Sequence, residues 1–237
     1  MQNGRMKTPA RTGTLKPREV MPAYHHGDLK NALVREGRLL LEEKGVAELS
    51  LRECARRAGV SEAAPARHFS GKEGLLASIA ADGFRDLASQ RLATIDSNLS
   101  TLAKAREMML IYVRYAQENK GVFNLMIGPR IVDTGRHVEL LEESKKSFDL
   151  FSNCMVTLAL EYGWPRSQVD LVAHGAWAVE HGLATLILAD RAPRPDRNLT
   201  LERMIDFSID MALSAVLAGP AALRSISRQT LASQRDA

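Results

Sequence analysis

Cysteine is nearly absent: Cys54 and Cys154 are the two in 237 residues. They stand far apart and neither has a CxxC neighbour, which excludes a disulfide framework and a cysteine-ligated zinc module. Both read as small core residues in a reducing compartment. Aromatics are few, 5% of the chain, within an apolar share of 45% that is ordinary for a globular protein. No charge-free apolar run approaches the ~18 residues of a membrane span. The first residues lack the apolar stretch of a signal peptide, so the expectation is a cytoplasmic protein with no membrane partner. Charge of one sign is missing too. Lys and Arg number 32 against 28 Asp and Glu, a net +4 with a pI near 9.2, which permits nucleic-acid binding without arguing for it. There is no phosphate-cradling glycine loop, no paired carboxylate–histidine motif and no nucleophile setting. His174, Glu180 and His181 do not have the spacing of a metal site on one helix face. No catalytic residue, metal or cofactor is therefore expected. Strand alternation and internal repeats are also missing, which leaves an all-α fold.

What is present is a dense set of helix signals between Leu49 and Glu73, in LSLRECARRAGVSEAAPARHFSGKE. Ser50 can cap a helix, with Glu53 closing a capping box. Ala55 offers a small residue at a helix crossing, and Gly59 can take positive φ in the turn. Ser61 can cap a second helix, about Ser61 to Phe69, that presents Glu62, Ala63, Ala64, Arg67 and His68. Ser70 with Glu73 forms another capping box ahead of an apolar run. Pro65 strains the second helix, because it has no N–H for the carbonyl of Ser61. The spacing predicts a DNA-binding helix-turn-helix.

Before this stretch, residues 1–22 hold three prolines and little apolar material, and read as a disordered basic head. A first helix is predicted over Asp28–Lys44, with Gly37 either weakening it or admitting a close neighbour. After it come helices from Lys72 to about Ile95, Thr101 to Asn119, Thr134 to Tyr162, Pro165 to Asp190 and Thr200 to Ala218. Lys120–Arg130 is punctuated by Gly121, Gly128 and Pro129, and Gly219-Pro220 ends the last helix. The division expected is a helix-turn-helix domain over 23–73, a helical bundle over 74–218 and a tail over 219–237.

The runs YHHGDLKNALVREGRLLLEEKG and LSLRECARRAGVSEAAPARHFSGKEGLL resemble the N-terminal domain of the tetracycline-repressor-like (TetR) family of bacterial transcription regulators. The AGVS turn, the HF pair and KEGLL carry most of the likeness. WAVEHG, with Trp177, His181 and Gly182, is similar to a signature of one branch's ligand domain. One departure is Ala66, where the family usually has a tyrosine that contacts the DNA backbone. The resemblance implies a homodimer through the last two long helices, an effector pocket among the middle helices, and repression relieved by a small, largely apolar effector.

On that basis the second helix enters the major groove. Glu62 can accept from a cytosine amino group, Ala63 or Ala64 can pack on a thymine methyl, and Arg67 can fork onto guanine. His68 can touch phosphate or a base. Arg52, Arg56, Lys72 and the backbone N–H groups at helix starts such as Ser61 suit phosphates. The pocket candidates are Met108, Met109, Tyr112, Tyr115, Phe123, Met126, Phe148, Phe151 and Trp177. His181 is read as a buried, hydrogen-bonded histidine and Gly182 as a site of close helix approach. Two rivals stand beside this: an effector-independent dimeric DNA-binding protein, and a helical-bundle enzyme.

Overall fold

The computed structural model describes residues 26–127, 136–193 and 198–225, and every regular element within them is helical. The basic head expected over 1–22 and the tail beyond Ser225 lie outside the described residues.

Helix α1, His26–Glu48, starts two residues ahead of the expected cap Asp28 and bends at Gly45, whose φ of 76° and ψ of 176° break the helical backbone. Lys72 closes the end of α1, its Nζ donating to the carbonyls of Val46 at 2.6 Å and Ala47 at 3.3 Å. Those carbonyls would otherwise have no partner at a helix terminus. Helix α2, Leu51–Arg57, is capped as predicted, with Ser50 Oγ accepting from Glu53 N at 3.2 Å. The Glu53 carboxylate instead takes the guanidinium groups of Arg56 and Arg57. Gly59 turns the chain at φ 70°.

The second element of the motif is shorter than the sequence predicts. In place of an α-helix over Ser61–Phe69 there is a single 3-10 turn, Pro65–Arg67. Pro65 is the cause. Lacking an N–H, it leaves the Ser61 carbonyl free to accept from Ala64 N at 3.0 Å, an i→i+3 bond. The pattern continues with Arg67 N on Ala64 O at 3.2 Å and His68 N on Pro65 O at 2.9 Å. Ser61 therefore caps no helix. The Ser70 capping box is absent as well: Ser70 makes no side-chain cap bond, and Gly71 enters the next helix at φ 74°.

Helix α3, Gly71–Ile95, is the longest element. Its first half packs into the head, where Leu75 and Ile79 meet Leu33, Leu40, Leu49 and Phe69. Gly37 admits this approach, because a Cβ there would stand 2.7 Å from Ile79 Cδ1. Leu125 and Leu140, from α5 and α6, complete the same cluster.

Helix α4, Thr101–Glu118, is capped by Ser100. The punctuated stretch after it contains a helix, α5, Lys120–Ile127. Its N-terminus is capped from a distance by Glu42 of α1, whose carboxylate accepts from Gly121 N and Val122 N, both at 2.8 Å. A carboxylate at a helix N-terminus is favourable both as a hydrogen-bond acceptor and toward the helix dipole. Helices α6, Val138–Glu161, α7, Val169–Leu188, and α8, Leu201–Leu217, follow. Pro165 stands four residues short of α7, in a turn where Gln168 N bonds its carbonyl at 2.8 Å. A short helix α9, Gly219–Ser225, leaves α8 at 98°.

The bundle core lies between α4, α6, α7 and α8, around Met108, Met109, Phe151, Met155, Leu158 and Ile209. Burying each such side chain contributes ~1.5–3 kcal/mol. Helix α7 reaches a mean hydropathy of 1.3 and is long and apolar enough to cross a membrane. It packs against α4, α6 and α8 and carries the fully buried Glu180.

Candidate nucleic-acid interface and ligand cavity

The outer surface of the head is built by the end of α2 and the turn after it. Ser61, Glu62, Ala63 and Arg67 are exposed, while Ala64 and His68 are half-buried. Pro65 and Phe69 are buried beneath them, so the ring of Pro65 anchors the turn from inside. Among the described residues Arg67 has no ion-pair partner. His68 leans on Phe69 with ring centroids 6.3 Å apart. Arg52 pairs with Glu62 at 2.9 Å, both well exposed, and Arg56 pairs with Glu53 at 2.6 Å. The hydrogen bond from Arg56 is the largest influence holding the Glu53 carboxyl down to about 2. Exposed pairs of this kind are worth ~0–1 kcal/mol, so either partner can be drawn away at little cost.

Lys72 is placed differently from its companions. Its ammonium is bound to the last carbonyls of α1 rather than held out toward solvent, which makes it part of the head's framework. Arg57, which the sequence did not single out, forks onto Glu43 at 2.6 and 3.0 Å and ties α2 to α1. The unpaired carbonyls implied by the end of a helix could have signalled the Lys72 contact.

A cavity of about 350 Å³ opens between α3, α4, α6 and α7. Three of the predicted pocket residues line it: Tyr112, Phe148 and Trp177. The other six do not. Met108, Met109 and Phe151 are fully buried in the bundle core, and Tyr115, Phe123 and Met126 pack in and around a small cluster beneath it. Their apolar character is used for packing between helices.

At the cavity wall Trp177 stacks on His181, ring centroids 5.5 Å apart and planes 25° from parallel. Tyr112 Oη and His181 Nδ1 share a hydrogen bond of 3.1 Å, and Phe148 meets Trp177 edge-on at 5.8 Å. Burial lowers the His181 pKa and raises that of Tyr112, favouring the neutral form of each.

Behind this wall is a buried ion pair that the sequence did not suggest. Arg91 Nη2 donates to Glu180 Oε1 at 2.8 Å, with side-chain exposures of 2% and 0%. Arg91 Nη1 donates to the Ser147 carbonyl at 3.0 Å. The guanidinium lies over the rings of Tyr112 and Phe151, 5.4 and 5.0 Å from their centroids. Burial pushes the Glu180 carboxyl up, against the pull of Arg91.

A second and wider groove of about 680 Å³ runs between α7, α8 and α9, with Leu171, Gly175, Val179, Ala215 and Leu223 on its walls. Nearby, Leu171 and Phe207 are each 71% exposed and Met211 58%. Gly182 does not admit a close helix within the chain, since a Cβ there would meet nothing within 4 Å.

Residues 33–79 match the family model for bacterial regulatory proteins of the tetR family, and residues 105–208 match that for the tetracyclin repressor-like C-terminal domain. No curated protein matches the chain by sequence. Among solved structures, a protein of unknown function from Rhodococcus sp. RHA1 is 27% identical, with 84% of this chain and 98% of that one covered and a TM-score of 0.67. The TetR family transcriptional regulator PfmR from Thermus thermophilus is 20% identical over 79% of this chain and 98% of its own, with a TM-score of 0.56. The fatty acid degradation regulator FadR from Bacillus halodurans is 11% identical over 83% and 97%, with a TM-score of 0.61. At these identities the last two share the fold.

Proposed function

The chain belongs to the tetR family of bacterial regulatory proteins, and from that premise we propose that it is a repressor that binds a near-palindromic operator as a homodimer and is released by a small molecule. The observation that carries this is the exposed turn Ser61–Arg67, held on a three-helix core by the buried Pro65 and Phe69. Arg67, without an ion-pair partner among the described residues, forks onto a base edge. Glu62, Ala63 and Ala64 face the groove beside it. Arg52, Arg56, Ser61 and His68 meet phosphates, which position the head without specifying sequence. Lys72 acts from behind, by fixing the end of α1. The groove and the exposed Phe207 and Met211 support dimerisation through α7 and α8. The cavity beside Trp177 is the effector site, and a DNA target puts the chain in the cytoplasm.

Equilibrium titration against DNA from the region of its own gene tests the proposal. Binding to an operator should exceed binding to random duplex and weaken steeply with salt. Arg67→Ala should relax sequence preference by ~1–3 kcal/mol at one position. Equal affinity for operator and random duplex would refute specific recognition.

A further inference from the structure

We propose that Glu62 and Arg52 act together as a partner-exchange element that sets sequence specificity. Away from the operator, the Glu62 carboxylate holds Arg52 back from phosphate. On the operator a cytosine amino group takes the carboxylate, and the freed guanidinium closes on the DNA backbone. This rests on the turn Ser61–Arg67 being the DNA-reading surface, and it assigns the pair that makes that surface selective.

The pair joins a phosphate-facing helix to a base-facing turn. Arg52 Nη2 reaches both oxygens of Glu62, at 2.9 and 3.2 Å, with side-chain exposures of 78% and 64%. Each partner stands on a fixed element. Arg52 lies in the first turn of α2, behind the Ser50 cap. Glu62 lies in the turn closed by Ala64 N on Ser61 O and anchored by the buried Pro65. An ion pair this exposed is held weakly, so a phosphate or a base edge can compete for either half.

The other arginines of α2 are placed differently. Arg56 is held by Glu53, within α2, and Arg57 by Glu43 of α1. Among the described residues, Arg52 alone of the three is bound to a residue of the base-facing turn.

Charge gives the pair its sign. Glu62 is the one acidic residue between Ser61 and Ser70. A carboxylate on a surface that meets a polyanion opposes DNA of any sequence unless it finds a donor there, and in the major groove the cytosine amino group is the donor that suits it. Without that donor, releasing Arg52 would leave a bare carboxylate facing phosphates, so Arg52 stays where it is. Unpaired charge against the wrong partner is a source of selectivity in its own right.

The test is the slope of log K against log salt, from equilibrium titrations of the full-length protein. Duplex enriched from a random pool by the protein serves as operator, beside unselected duplex. Glu62→Gln should tighten binding to unselected duplex and steepen its slope by ~0.9 for each head in contact, one added phosphate contact. Preference for the operator should fall accordingly. In an Arg52→Gln background the same substitution should no longer steepen the slope. With the unaltered protein, replacing the recognised cytosine should lower affinity and flatten the operator slope by ~0.9 per head together. A base contact without the exchange would move affinity alone. The proposal is overturned if Glu62→Gln leaves the unselected-duplex slope as it was, if it steepens that slope equally without Arg52, or if no cytosine replacement moves the operator slope. A pool that yields no enriched sequence ends specific recognition and the exchange with it. An enriched sequence with unmoved slopes ends the exchange alone.

Discussion

Glu180 shows what a single buried side chain can decide. With Arg91 fixed beside it and no solvent contact for either, Glu180→Gln leaves an uncompensated charge in the interior and should cost about 3–5 kcal/mol in urea unfolding. Replacing both partners together, as Arg91→Met with Glu180→Leu, should recover most of that loss, because the penalty belongs to the orphaned charge rather than to the missing pair. His181 sets a pH limit. Burial holds its pKa below the ordinary 6.5, so below that pH the unfolded chain binds a proton that the folded chain resists. Stability therefore falls as the solution is acidified below about 6.5. Thermal unfolding followed from pH 8 to 5 should show this slope, and His181→Phe should flatten it.

Among the elements, the turn at Pro65–Arg67 is the one where local chemistry overrides the expected helix. Pro65→Ala removes a ring that restricts the unfolded chain, at a position whose backbone already suits proline, and should lower stability by about 0.4–1 kcal/mol in chemical denaturation. A gain in stability together with added helical circular dichroism would mean that the proline alone keeps the segment out of an α-helix. The sequence carried the conflict in view, since Ser61 signalled a start and Pro65 removed the bond that start required. The Ser50 cap was legible because it depends on a few adjacent residues. The capping of α5 by Glu42 was not, because the two are brought together only when α1 folds against α5. The contacts of Lys72 were hidden for the same reason: a lysine near a DNA-binding turn reads as a phosphate contact, and only the fold brings the carbonyls of Val46 and Ala47 beside it.

At the scale of the whole molecule, the exposed apolar residues of α7 and α8 are what the proposed dimer would bury. Phe207→Asp with Met211→Asp should leave a monomer in light scattering and weaken operator binding, while circular dichroism stays unchanged. The candidate cavity was only partly legible. Aromatic and methionine residues were equally apolar in the sequence, and only packing separates Met108 and Met109, which fill the core, from Tyr112 and Trp177, which bound a space. Arg91 left no sign at all, since an arginine in a helix reads as surface until its surroundings close over it. That residue also gives α3 a mechanical meaning. Leu75 sits in the core of the head and Arg91 beside the cavity, on one unbroken helix, roughly 24 Å apart along its axis. A rod of that length works as a lever: a tilt of ~5° at the cavity end carries the head end by ~2 Å, a displacement on the scale of a hydrogen bond's reach.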